Sequence, residues 1–389
     1  MEPSRKIPGS RAAGTESGNP SRVISNLQVL RALAASSVVV AHAVHETASL
    51  PDVAGRLPID AAINWNLGFG VDIFFVLSGF IMTHTAAAEF GKSGAPLKFF
   101  LRRCARVVPL YWLLTSVLLL GAAIAPSLLN VPIGNVSHIL ASYFFIPSGR
   151  GVDEIRPVLA LGWTLNYEML FYVFFGLALM LPLRLGIFWL SVLMAGLALI
   201  GNLVSAQQVQ LAFWTNPIIL EFLFGVYVAL IFRSGLRIGI WPAIGFTAIG
   251  LLGFVRFSTG WDDGNLPQFL RSGLPAALFV LAAAIGPALP SGKIVLWGVA
   301  LGDASYSLYL SHPFILRPLR AAWEKLVGDQ LPLGLFVFCG TIAAAIFALA
   351  LCRFVEKPLT AYAQGLARRL GRSKAARPAG APGADTESA

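Results

Sequence analysis

The sequence predicts an all-α, polytopic membrane protein of about ten transmembrane helices with both termini in the cytoplasm. Three observations predict it. Hydrophobic residues make up 56% of the 389 residues and charged residues only 12%, against a usual ~25% charged for soluble domains; the mean hydropathy is +0.72. Apolar stretches of about 17–24 residues, the length that crosses ~30 Å of hydrocarbon, recur along the chain. Lys and Arg are distributed unevenly between the segments that join them. A soluble protein of this size needs a charged surface that this composition does not supply. The composition also excludes disordered, collagen-like, coiled-coil and small disulfide-stapled classes.

Residues 1–26 are polar, basic and rich in Gly, Pro and Ser. They lack an apolar h-region and read as a disordered cytoplasmic arm rather than a cleavable signal peptide. A membrane domain follows over 27–360. Its spans are approximately 27–46, 67–88, 107–126, 160–181, 185–204, 214–232, 238–257, 272–290, 295–316 and 333–353. Only Pro182, Leu183, Arg184 and Leu185 part the fourth span from the fifth, and the ninth carries Asp303 and several hydroxyls. The outer loop 127–159 has room for a short interfacial helix. Residues 361–389, basic and then rich in Ala, Pro and Gly, read as a disordered cytoplasmic tail. With the N-terminus inside, the inner segments hold about 20 of the 29 Lys and Arg and the outer ones about eight, the bias of the positive-inside rule. Acids such as Asp262 and Asp263 fall outside. The net charge of +10 therefore reports orientation in a membrane and not a nucleic-acid partner. The three cysteines, Cys104, Cys339 and Cys352, match no metal spacing and read as small buried hydrophobes.

An ionisable group inside a span is costly and marks function by default. Arg31 and His42 share the first span, eleven residues apart. That is about three turns and roughly 16 Å, so both lie on one stripe, Arg31 at the cytoplasmic edge and His42 in the outer half. Asp72 opens the second span, and Glu168 lies in the first half of the fourth, both at about the depth of His42. A carboxylate orients an imidazole and stabilises its charged form; either acid suits that role, and Asp72 also suits the N-terminus of its own helix. Arg102, Arg103 and Arg106 lie where the third span leaves the cytoplasm. They fit simple anchoring or phosphate binding by guanidinium forks. In the ninth span, Asp303 is at the depth of Arg31 and His312 at the depth of His42, with Tyr306, Ser307 and Tyr309 between. No metal-ligand set, Walker loop, GxSxG elbow or dinucleotide fingerprint is present. A basic cytoplasmic mouth with a His/carboxylate group further out suits an enzyme drawing an anionic substrate from the cytoplasm. It equally suits a proton-coupled transporter or flippase for a glycan or small organic acid.

The segments LRALAASSVVVAHA, LGFGVDIFFVLSGFIM, FLRRCARVVPLYW, LGWTLNYEMLFYVFF, LGDASYSLYLSHPF and RFVEKPL, in that order over about residues 26–360, resemble the membrane-bound acyltransferase-3 family, in particular its exopolysaccharide O-acetyltransferase branch. The resemblance implies a ten-span enzyme that moves an acyl group, usually acetyl, from cytoplasmic acetyl-CoA to a hydroxyl of an exported or cell-surface polysaccharide or its lipid-linked precursor, alongside the polysaccharide synthesis machinery. It places the family's first-span basic residue and histidine on Arg31 and His42, its third-span arginines on Arg103 and Arg106, and its fourth-span glutamate on Glu168. The expected mechanism docks acetyl-CoA phosphates at Arg103 and Arg106 with Arg31 at the mouth. His42 is the expected base on the sugar hydroxyl or the carrier of an acetyl intermediate, Asp72 or Glu168 its partner, and Tyr167 or Ser78 a donor to the oxyanion. Some members carry a fused extracytoplasmic SGNH-type domain. None follows the tenth span here, so transfer is expected to be direct or through a separate partner.

Overall fold

The computed structural model describes residues 20–48, 67–124, 134–149, 155–204, 208–258, 266–328 and 331–375. Among these residues every regular element is helical, with one antiparallel bridge between Gly149 and Ile155. The outer acids Asp262 and Asp263 lie outside the described residues. In chain order the α-helices are α1 (Pro20–Ala48), α2 (Gly70–Ala86), α3 (Ala95–Ile124), α4 (Val136–Tyr143), α5 (Trp163–Ala178), α6 (Leu183–Ile200), α7 (Val209–Trp214), α8 (Leu220–Arg233), α9 (Ile240–Ser258), α10 (Leu274–Ile285), α11 (Lys293–Asp303), α12 (Ser305–Ser311), α13 (Pro313–Leu326), α14 (Leu333–Leu351) and α15 (Lys357–Ala375). Among the described residues, six helical segments are long and apolar enough to cross a membrane: Ser25–Ala48, Gly70–Glu89, Ala95–Ile124, Leu183–Ile200, Val209–Arg233 and Leu333–Arg369. Helices overlap each of the other predicted stretches, in shorter or interrupted form.

Helix α1 is central. Its small residues Ala34, Ala35, Val39 and Ala43 have no exposed surface, and it packs against α2, α10, α11, α12, α13 and α14. Small side chains let helix backbones approach closely, and the motif glycines do so here. A Cβ on Gly70 falls 2.2 Å from the Ala34 carbonyl oxygen, and one on Gly302 falls 2.0 Å from that of Gln28. Helices α2 and α8 interlock in the same way through Gly79 and Gly225. Large apolar side chains such as Trp189, Leu252, Phe338 and Ile346 point outward and are exposed, which the hydrocarbon of a bilayer satisfies.

Three local features differ from the sequence expectation. The ninth stretch is not one helix: it breaks after Asp303 and again at His312, whose successor Pro313 opens α13. Helix α3 begins at Ala95 rather than near 107, so the arginines lie within it. Helix α1 starts at Pro20 and α15 runs to Ala375, taking in parts of both predicted tails; the Ala, Leu, Arg and Lys of the segment after 357 are strong helix formers. The short helix foreseen in loop 127–159 is α4, capped by the Asn135 side chain, which accepts from the His138 amide.

Candidate active site

Four elements meet around a cavity of about 110 Å³: α1, α2, α3 and α5, closed by α12. Arg31 comes from α1, Ser78 and Met82 from α2, Arg103 and Arg106 from α3, Glu168 and Tyr172 from α5, and Ser305, Tyr306 and Tyr309 from α12. Along α2 the lining runs from Val71 to Met82, roughly 16 Å at 1.5 Å per residue. The space is therefore long and narrow, well below the roughly 300–1,000 Å³ that encloses a whole drug-sized ligand.

Three arginines face one glutamate across this space, so the lining carries a positive excess. Each is held differently. Arg31 donates to Ser305 Oγ at 2.8 Å. Arg103 donates to Thr85 Oγ1 at 3.2 Å, its guanidinium 5.6 Å from the Phe99 ring centre. Arg106 lines the cavity without a hydrogen-bond partner among the described residues. Glu168 Oε1 accepts from Tyr172 Oη at 2.6 Å and from Ser78 Oγ at 3.0 Å, which fixes the carboxylate from two helices. Tyr306 donates to the Val107 carbonyl at 2.7 Å, and Tyr309 to that of Leu161 at 3.2 Å, so their rings are fixed walls. Arg102 turns away to Glu89 at 2.5 Å and ties the α2–α3 turn.

Arg31, Arg103, Arg106 and Glu168 thus share one cavity; His42 and Asp72 are not among its lining residues. Asp72 sits in the first turn of α2 and accepts from Gln268 Nε2 at 3.2 Å, beside Glu221. His42 lies beyond Tyr309, packed on His312 with ring centres 4.8 Å apart. Neither acid is hydrogen-bonded to it: Glu168 is held by Ser78 and Tyr172, and His42 Nδ1 is 2.9 Å from the Val38 carbonyl. Asp303 accepts from Gln28 at 2.7 Å, not from Arg31. Ser78 reaches the cavity, whereas Tyr167 is stacked on Phe213 at 4.1 Å and buried elsewhere. Tyr172 and Ser305 were not singled out by the sequence. Tyr172 stands four residues after Glu168 on one helix face, a spacing that links the two; Ser305 carries no such signal.

The fold and the cavity define a multi-pass membrane protein with an arginine-lined chamber between its helices, suited to an anionic substrate. An acyltransferase domain matches residues 24–353, and the chain belongs to that acyltransferase-3 family, in its exopolysaccharide O-acetyltransferase-like branch; as an enzyme it is an O-acetyltransferase. It is similar to the exopolysaccharide production protein ExoZ of Rhizobium meliloti (strain 1021), 33% identical over 325 residues, 80% of this chain and 94% of the relative. It is also similar to the O-acetyltransferase OatA of Staphylococcus aureus (strain NCTC 8325 / PS 47), 26% identical over 321 residues, 75% of this chain and 52% of the relative. A putative O-acetyltransferase of S. aureus (strain COL) is 28% identical over 387 residues, 87% of this chain and 57% of the relative. The chain thus spans about half the length of these staphylococcal relatives. No solved structure matches.

Proposed function

We propose that this protein transfers an acetyl group from cytoplasmic acetyl-CoA to a hydroxyl of a cell-surface or exported polysaccharide, or of its lipid-linked precursor, across a bacterial inner membrane that it spans about ten times with both termini inside. The observation that carries the reading is the convergence of Arg31, Arg103 and Arg106 on one narrow cavity, one wall of which, Tyr309, packs on His312 beside His42. Guanidinium forks match phosphate oxygens. The nucleotide phosphates dock at Arg103 and Arg106, and the pantetheine arm follows the roughly 16 Å of α2 lining towards His42. A volume of about 110 Å³ suits a slender thioester arm and a short acyl group.

The chemistry follows from how His42 is held. A carbonyl oxygen only accepts, so in the neutral ring Nδ1 carries the proton towards Val38 and Nε2 keeps its lone pair. Nε2 takes the proton of the acceptor hydroxyl as that oxygen bonds to the acetyl carbon. The carbon–sulfur bond then breaks, and the same proton passes to sulfur, so CoA leaves as a thiol. Glu168, held in place by Ser78 and Tyr172, lies in the cavity beside the arginines and offsets part of their charge.

The test uses inverted vesicles with acetyl-CoA labelled in the acetyl group. Wild type should carry label into glycan, and His42→Ala should fold and carry none. Full activity of that variant would remove His42 from the chemistry. Label trapped on protein in wild type only would show an acetyl-histidine intermediate, and glycan movement without acetyl-CoA consumption would make the protein a transporter.

A further inference from the structure

His42 lacks the carboxylate partner that base catalysis by histidine commonly uses. The acid nearest along its own helix, Glu46, stands one turn on and is engaged by Arg317 at 3.7 Å and Arg320 at 3.0 Å. Among the described residues neither Asp72, Glu168 nor Glu46 hydrogen-bonds to it. What the fold places against the His42 ring is a second imidazole. His312 has no exposed surface, its ring centre is 4.8 Å from that of His42, and the planes are tilted by 58°.

The His312 ring is held as His42 is. Its Nδ1 lies 3.1 Å from the Leu308 carbonyl, so that nitrogen is the donor and Nε2 is an acceptor. That Nε2 is buried and has no hydrogen-bond partner. A buried acceptor left unmade costs roughly 1–3 kcal/mol, and such exceptions call for an explanation. The break in the helix at His312 and the following Pro313 are what set the ring there, at the junction of α12 and α13. Tyr309, 6.5 Å from His312 between ring centres, joins the pair to the cavity wall.

We propose that His312 is the positioning residue of His42, and that its Nε2 lone pair shares the His42 Nε2–H, in a three-centre bond with the reacting oxygen and then the sulfur, while the acetyl group is in transit. The inference rests on His42 being the base. The proton leaves the acceptor hydroxyl for His42 Nε2, stays on that nitrogen as the new carbon–oxygen bond forms, and passes to the sulfur when the carbon–sulfur bond breaks. No proton is gained or lost by the pair over a turnover. His312 does not touch substrate; it gives the Nε2–H of the imidazolium an acceptor beside the reacting atoms, as the Val38 carbonyl does for Nδ1–H.

Two variants separate this role from packing. His312→Phe keeps a ring of similar shape and removes the acceptor; His312→Gln loses the ring and keeps an acceptor oxygen near the same place. A hydrogen bond to a charged group is worth roughly 1.5–3 kcal/mol, so His312→Phe should lower kcat about 10–100-fold with KM for acetyl-CoA unchanged. His312→Gln should recover activity to within about threefold of wild type on the same scale. Melting in detergent and acetyl-CoA binding by calorimetry report whether each variant is folded. Wild-type kcat in His312→Phe overturns the proposal, as does an equal loss in the two variants or a rise in KM without a fall in kcat. Activity in His42→Ala would instead overturn the underlying assignment of the base, so the two failures are told apart.

Discussion

At the scale of the residue, the cavity's charge asymmetry has a direct consequence. Arg106 lines the space with its guanidinium unclaimed by any described side chain, and among the described residues Arg103 is hydrogen-bonded through Thr85 alone. Both keep N–H groups for a ligand. Charge-assisted hydrogen bonds to phosphate are worth roughly 1.5–3 kcal/mol each, so Arg103→Gln and Arg106→Gln should each raise KM for acetyl-CoA about 10–100-fold. Arg→Lys should recover only part of this, because a point charge does not reproduce the fork. S-acetyl-pantetheine, which lacks the nucleotide phosphates, provides the control: its KM should be the same in wild type and in the two variants. A KM that rises equally for both donors would place the arginines on the thioester end and not on phosphate. Tyr172→Phe tests the other wall. It removes the 2.6 Å bond to Glu168 and leaves the carboxylate to Ser78 alone. Activity should fall by about fivefold on the ~1 kcal/mol scale of such bonds, while Ser191→Ala, whose hydroxyl bonds Ile187 and Tyr227 on α6 and α8 outside the lining, should not change it.

At the scale of the element, the close approach of α2 and α8 decides how the cavity wall is held. A Cβ on Gly79 would lie 2.0 Å from the Phe222 carbonyl oxygen, and one on Gly225 would lie 1.8 Å from that of Val76. Backbone cannot yield as a flexible side chain can, so Gly79→Ala and Gly225→Ala must push the helices apart. Overpacking costs typically about 1–3 kcal/mol, and both variants should melt at lower temperature in detergent and lose acetyl transfer. Gly245→Ala on α9 meets nothing within 4 Å and should melt at or above the wild-type temperature, since alanine is the better helix former by roughly 1 kcal/mol. An unchanged melting temperature in Gly79→Ala would show that the two helices are not in this contact. The positions of the helices were legible in the sequence because an apolar run of span length is a strong signal; what each helix faces was not. Depth along an axis follows from counting residues, and counting brought His42 and His312 to one level and Arg31, Arg103 and Arg106 to another. Azimuth between helices does not follow from counting. Asp72 shares the depth of His42, yet its helix turns it towards Gln268 and Glu221, and Asp303 shares the depth of Arg31 but bonds Gln28. The breaks around α12 were equally hidden, since LGDASYSLYLSHPF is apolar enough to read as one continuous helix.

At the scale of the whole molecule, a reaction with a cytoplasmic donor and an exported acceptor requires the two ends of the bundle to face different compartments. The outward apolar side chains, among them Leu252, Phe338 and Ile346, form a surface suited to hydrocarbon. Lys92, in the turn between α2 and α3 near Glu89 and Arg102, is exposed at the arginine end of the cavity. Lys325, at the end of α13 beyond the Glu46–Arg317–Arg320 cluster, is exposed at the histidine end. If the positive-inside bias orients the chain as proposed, these two residues lie on opposite sides of the bilayer. In a background with Cys104, Cys339 and Cys352 replaced, a membrane-impermeant thiol reagent should label Lys325→Cys in intact cells and Lys92→Cys only after permeabilisation or in inverted vesicles. The opposite pattern would invert the protein and put the phosphate-binding arginines at the compartment without acetyl-CoA, which the proposed reaction does not survive. Labelling of both from one side would mean that an even number of crossings separates Lys92 from Lys325, and the path from Arg106 to His42 would then not traverse the membrane.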